Sequence, residues 1–199
     1  ELRAHDTKLL VYMSGSLRLY AFNENDKLTL EFTWSIEGEI EQLAFLDQDH
    51  LVLVKDSDAG GVFEIRQLDA ALSLVSTPLP LVSRKFNDLV IQGDVAYLAT
   101  EQKDAGDPAG LERVVISGLA ASSLGVEAIA GEGASALWVD KELLYVAPLS
   151  LNDPATEPLL YAYPLDGETF GDLTPSSTLS APLLFDATEG SLDGQSLDI

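Results

Sequence analysis

The chain has 199 residues, 46% of them hydrophobic, enough apolar material for a medium-sized domain with a sizeable core. It carries 33 acidic against 11 basic residues, a formal charge of −22, with no Lys or Arg from Leu143 to Ile199. A field of that sign disfavours nucleic acid and anionic membrane surfaces, and favours cations and basic protein patches, while also keeping the chain hydrated and dispersed. The absence of cysteine excludes a disulfide framework, Cys-ligated zinc and thiol catalysis, and no run of 18 apolar residues exists to span a membrane.

In chain order, one pattern recurs four times. Lys8-Leu9-Leu10-Val11-Tyr12 leads through Ser14-Gly15-Ser16 into Leu17-Arg18-Leu19-Tyr20-Ala21-Phe22. Leu51-Val52-Leu53-Val54 leads through a polar loop into Val62-Phe63-Glu64-Ile65. Val95-Ala96-Tyr97-Leu98-Ala99 and Leu143-Leu144-Tyr145-Val146-Ala147 each lead through a longer polar loop into Arg113-Val114-Val115-Ile116 and Leu159-Leu160-Tyr161-Ala162-Tyr163. Superposing Leu9, Leu51, Ala96 and Leu144 gives spacings of 42, 45 and 48 residues, with the loops absorbing the drift. The apolar runs are short, rich in β-branched and aromatic residues, and bounded by turn residues, so they are strands; only 120–130, with its small residues, is ambiguous with helix.

Each repeat fills out to four strands. The first has three over 8–12, 17–22 and 27–36, with a weak leading strand at 2–4. The second is expected over 42–46, 50–55, 62–67 and 72–77. The third is expected over 88–91, 95–100, 112–117 and 126–130. The fourth is expected over 136–139, 143–147, 159–163 and a stretch within 174–180. Inner strands apolar on both faces are what stacked sheets require. The fold expected is therefore all-β, a β-propeller of about four blades of four-stranded antiparallel sheets. The blades run over 1–38, 39–82, 83–132 and 133–182. Leu183-Leu184-Phe185-Asp186 repeats Leu137-Trp138-Val139-Asp140 at a spacing of 46, so 183–199 is a closing strand or the first strand of a further blade. Both a closed four-bladed ring and part of a larger propeller fit. Trp34, Trp138, Tyr97, Tyr145, Tyr161 and Tyr163 recur at strand positions and read as packing between blades.

The repeats resemble the β-propeller families with YVTN/LVIVD, NHL and gluconolactonase-like blades. Leu159-Leu160-Tyr161-Ala162-Tyr163-Pro164-Leu165-Asp166-Gly167, followed by Leu192-Asp193-Gly194-Gln195-Ser196-Leu197-Asp198, is similar to the gluconolactonase-like pattern, although that family's metal-binding Glu and Asn have no counterpart here. Asp104-Ala105-Gly106-Asp107-Pro108-Ala109 resembles the Asp-Ala-Asp-Asp-Pro-Ala motif of β-propeller phytases, with Gly106 at the third position in place of Asp. These resemblances imply a calcium-dependent propeller hydrolase as one reading.

The residues themselves favour another. No Gly-x-Ser-x-Gly elbow, Walker motif or dinucleotide fingerprint is present, and His5 and His50 are too few for a His-rich zinc site. The loops joining second and third strands should emerge on one face, and they are acidic: Asp56 and Asp58, Asp104 and Asp107, Asp153 and Glu157. Converging carboxylates would hold calcium, whereas turn chemistry alone also accounts for Asp in loops. The expectation is an acidic module, more a binder than an enzyme, that takes a protein or small-molecule ligand through this loop face. Its expected setting is periplasmic or extracellular.

Overall fold

The computed structural model describes residues 2–23, 25, 27–56, 60–83, 85–129, 133–140, 142–149, 158–165 and 177–180. Among these, sixteen strands form four antiparallel sheets, each built from four strands in sequence order. Sheet 1 holds β1 (Leu2–His5), β2 (Lys8–Met13), β3 (Ser16–Phe22) and β4 (Leu28–Ser35). Sheet 2 holds β5 (Ile40–Phe45), β6 (His50–Lys55), β7 (Val62–Gln67) and β8 (Leu79–Pro80). Sheet 3 holds β9 (Lys85–Gln92), β10 (Val95–Glu101), β11 (Gly110–Ser117) and β12 (Ala120–Ala128). Sheet 4 holds β13 (Ala134–Asp140), β14 (Leu143–Pro148), β15 (Pro158–Pro164) and β16 (Ser177–Ser180). No helix among the described residues is long and apolar enough to cross a membrane.

The turns follow from local chemistry. Ser14 and Gly15 sit at φ 52° and 76°, the two positive angles of a primed hairpin turn whose twist matches that of β2 and β3. Between β5 and β6, Asp47 Oδ1 accepts the N–H groups of Asp49 and His50 at 2.7 and 2.8 Å, closing the loop on a side chain.

Leu51, Val52, Leu53 and Val54 in β6 are all fully buried, because both faces of sheet 2 are covered. Leu10, Leu17, Leu19 and Trp34 meet Leu43, Leu51 and Leu53 between sheets 1 and 2. Val52, Val54, Phe63 and Ile65 meet Leu89, Ala96 and Leu98 between sheets 2 and 3. Val95, Tyr97 and Leu111 meet Leu137, Leu144 and Tyr163 between sheets 3 and 4. Each fully buried aliphatic side chain contributes about 1.5–3 kcal/mol, so these three layers hold the stack together.

Two expectations needed adjustment at outer strands. The fourth strand of the second repeat, expected over 72–77, is displaced to β8. Asp69 Oδ1 holds the N–H groups of Ala71 and Ser73, which keeps Leu72 in a turn at φ 51° and leaves a lone bridge between Arg66 and Leu74 before β8 pairs with β7. The ambiguous stretch near 120–130 is strand β12, which pairs with β11 along its length and absorbs one bulge opposite Arg113 and Val114. The segment 183–199 lies outside the described residues.

Candidate binding groove on the inner strands

The first strand of each sheet is an edge: it pairs on one side only, which leaves a row of backbone groups without a ladder partner. On β5, β9 and β13, some of those groups are met by side chains from the preceding inner strand. Arg3 Nε donates to the Leu43 carbonyl at 2.9 Å. Gln42 Nε2 donates to the Phe86 carbonyl at 3.1 Å, and Glu41 Oε2 accepts the Phe86 N–H at 2.8 Å. Asn87 Nδ2 donates to the Ala134 carbonyl, and Asp88 Oδ2 accepts the Leu137 N–H, both at 2.9 Å. A continuous polar spine results. Arg3 Nη2 reaches Gln42 Oε1 at 3.4 Å and Asp88 Oδ1 at 3.5 Å, so one guanidinium from β1 touches β5 and β9, and Asp88 passes the connection on to β13.

Beside the spine lies a groove of about 350 Å³ lined by all four inner strands, with Arg3 and His5 from β1, Phe45 from β5, Ile91 from β9 and Trp138 and Val139 from β13. His5 stacks on Phe45 with ring centroids 5.5 Å apart. Trp138 is 56% exposed, against 6% for Trp34, which stacks on Phe32 and donates its indole N–H to the Asp69 carbonyl at 3.0 Å. The reading of the aromatics as packing between blades therefore holds for Trp34, Tyr97 and Tyr163 and fails for Trp138. Burial pushes the Tyr163 phenol up to about 12, with Glu127 and Tyr161 adding to the rise.

No protein-family model matches the chain, and no curated protein matches it. Solved structures do. The chain is similar to the computationally designed Ika4 protein, with a TM-score of 0.56 at 10% identity, over 82% of this chain and 89% of that one. It is similar to a protein from Lactobacillus plantarum solved by a structural genomics consortium, with a TM-score of 0.57 at 18% identity, over 87% of this chain and 53% of that one. The WD40 β-propeller domain of Doa1 also matches, at 13% identity and a TM-score of 0.42, over 89% of this chain and 69% of that one. At these identities the likeness to the first two concerns the fold. Four sequential four-stranded sheets, stacked face to face with their first strands around one groove, define the architecture.

The chain is a β-propeller.

In this propeller the described loop-face residues among those singled out from the sequence, Asp56, Asp104 and Asp107, are drawn into contacts within the chain. Asp56 forms an ion pair with Lys103, which joins the loops of sheets 2 and 3. Asp104 and Asp107 build one turn: Asp107 Oδ2 accepts the Asp104 N–H and the Asp107 N–H donates to the Asp104 carbonyl, both at 3.0 Å. Asp58, Asp153 and Glu157 lie outside the described residues. Burial raises the Glu41 carboxyl above its usual range; the Phe86 N–H and Lys103 oppose that rise, and Asp56 and Glu39 add to it. Among the described residues no group of three or more His, Cys, Asp and Glu side chains is placed to hold a metal ion.

Sequence reasoning missed the spine and the groove. Arg3, Gln42 and Asp88 lie on first strands with no motif linking them. The available signal was the adjacent polar pairs Glu41-Gln42 and Asn87-Asp88, each followed directly by an apolar run on a first strand.

Proposed function

We propose that this propeller is a binding module, without a catalytic role, that seats a cationic group carried on an apolar body in the inner-strand groove. Such a group belongs to a basic segment of a partner protein or to a small organic cation. The observation that carries the reading is Trp138, whose indole is more than half exposed on the wall of a groove to which all four sheets contribute. A groove of this size suits a small ligand or one extended side chain. An open indole face attracts a cation through its ring quadrupole, worth about 0.5–2 kcal/mol. The charge of −22 adds long-range attraction for the same class of ligand. Arg3 is already bound to the Leu43 carbonyl, Gln42 and Asp88, so it shapes the floor rather than presenting a free positive charge.

The test is a fluorescence titration with benzamidinium, with an arginine-rich peptide, and with neutral benzamide as the control for charge. Subtracting the signal of Trp138→Phe, in which only buried Trp34 emits, isolates Trp138. Saturable changes with the two cationic probes, weakened by salt and lost in Trp138→Ala, are expected. Equal binding of benzamide, or unchanged binding in Trp138→Ala, would overturn the proposal.

A further inference from the structure

A second recess, of about 490 Å³, lies between sheets 1 and 2, away from the inner-strand groove. It is lined by the connection from β4 to β5 (Ser35, Ile36, Glu37, Gly38) and by Lys55 and Arg66. Behind the two cations stands Glu64, a buried carboxylate. Lys55 Nζ lies 3.1 Å from Glu64 Oε2, and Arg66 donates to the same oxygen through Nε and Nη2, each at 2.8 Å. Arg66 Nη1 also donates to the Leu72 carbonyl at 3.0 Å.

The repeat shows what is unusual here. In strand register Leu53 pairs with Glu64 and Leu98 with Glu112, so these two glutamates occupy equivalent places in sheets 2 and 3. Glu112 spends its carboxylate on backbone, accepting the N–H groups of Val82 and Ser83, both at 2.9 Å, in the connection before β9. In the corresponding connection before β5 the Ile36 N–H donates instead to the Gly15 carbonyl at 2.8 Å, which frees Glu64 from that task. By the same registers Lys55 and Arg66 stand where sheet 3 has Thr100 and Val114. Sheet 2 therefore adds two cations around one carboxylate, in a chain with only 11 Lys and Arg residues.

One cation is enough to neutralise Glu64. The second leaves a net positive charge on side chains that are only 16% and 22% exposed, which is costly without a counter-charge. Lys55 has three N–H donors and, among the described residues, one partner. The other charged group lining the recess, Glu37, is exposed and forms no ion pair with either cation. We infer that this recess is an anion-binding site, taking a carboxylate or phosphate group of a small molecule on Lys55 and Arg66. The site is distinct from the groove and does not depend on the reading proposed for it.

The experiment titrates the whole chain with inorganic phosphate and, separately, with malonate at constant ionic strength, following the Lys55 Nζ and Arg66 Nε resonances by NMR. Lys55→Met is the informative variant, because Glu64 keeps Arg66 and no buried carboxylate is stranded. A saturable shift with at least one anion is expected, about tenfold weaker in Lys55→Met, the order for losing one charge-assisted hydrogen bond. Binding should tighten in Glu37→Gln and stay unchanged in Trp138→Ala. Saturation by malonate alone, or phosphate alone, identifies the anion class. Linear, non-saturating shifts with both anions would overturn the inference, as would equal affinities in the wild type and Lys55→Met.

Discussion

Replacing Glu112 by glutamine removes a single charge from a residue with no solvent exposure, and the structure fixes what must follow. The carboxylate uses one oxygen for the Val82 N–H and the other for the Ser83 N–H, both at 2.9 Å, with the Ser123 hydroxyl a more distant donor at 3.4 Å. A glutamine offers one acceptor and turns an amide NH2 toward the second N–H, so one charge-assisted hydrogen bond is lost and a part-buried donor is left facing another donor. The lost bond is worth about 1.5–3 kcal/mol and the stranded N–H about 1–3 kcal/mol, partly offset because a neutral side chain is cheaper to bury. A net loss of about 3 kcal/mol is expected. In a domain of this size that lowers the melting temperature by roughly 6–12 °C. Guanidinium unfolding of wild type and Glu112→Gln, compared at equal slope, measures it directly. An unfolding free energy within about 0.5 kcal/mol of wild type would refute the claim that this carboxylate joins sheets 2 and 3 through backbone, since a surface-like residue gives that result.

Gly110 and Gly93 should respond to alanine by very different amounts. A Cβ at Gly110 would lie 2.0 Å from the Glu127 carbonyl oxygen and 2.9 Å from the Ile129 nitrogen, so Gly110→Ala should lose about 4 kcal/mol or fail to fold. Gly93, at φ 57° with open space around it, should lose only about 1–2 kcal/mol, as read by thermal melts of both variants. Leu98→Ala empties a fully buried position between sheets 2 and 3 and should cost about 2–5 kcal/mol in chemical unfolding. Glu41, raised by burial, binds its proton more tightly folded than unfolded, so its ionisation costs stability as pH rises past the usual carboxylate range; Glu41→Gln should raise the melting temperature at pH 7 relative to wild type and lose that advantage at pH 4. Tyr163 keeps its proton to about 12 when folded, against 10.0 when free, so the stability it supports falls as pH climbs between those values. Burial also raises the Tyr97 phenol, so ultraviolet titration should show more than one late-ionising tyrosine, with the latest missing in Tyr163→Phe.

What could be read from the residues was whatever repeats. The strands β6 and β7 fall where the apolar runs of the second repeat place them, because a strand covered on both faces leaves an uninterrupted apolar signature bounded by loop residues. Outer strands were harder. β8 is two residues long, and its position is set by an Asp69 turn that forms only because the side chain reaches two backbone N–H groups across Leu72. The site was harder still. Asp56 looked like a ligand in an acidic loop, yet its partner Lys103 lies in the next sheet's loop, 47 residues away, and only the stacking of sheets brings the two together. Trp138 and Trp34 have the same side chain, and nothing local in the sequence says which one a neighbouring sheet covers.

The register places Arg18, Glu64, Glu112 and Tyr161 at one equivalent position in the four sheets, opposite Val11, Leu53, Leu98 and Val146. The backbone at that position is satisfied by ladder bonds within its own sheet, so the side chain is left to answer whatever the adjoining connection lacks. Where the connection before β9 has two N–H groups without a strand acceptor, a carboxylate answers them. Where the connection before β5 is already bonded to the Gly15 carbonyl, the same carboxylate is released to gather Lys55 and Arg66. The inner edges obey the same logic with different residues, Gln42 and Asn87 each reaching a carbonyl on the next inner strand. A propeller can thus keep an apolar repeat strict while its polar positions diverge, because the apolar positions face covered surfaces in every sheet and the polar ones face a different connection each time.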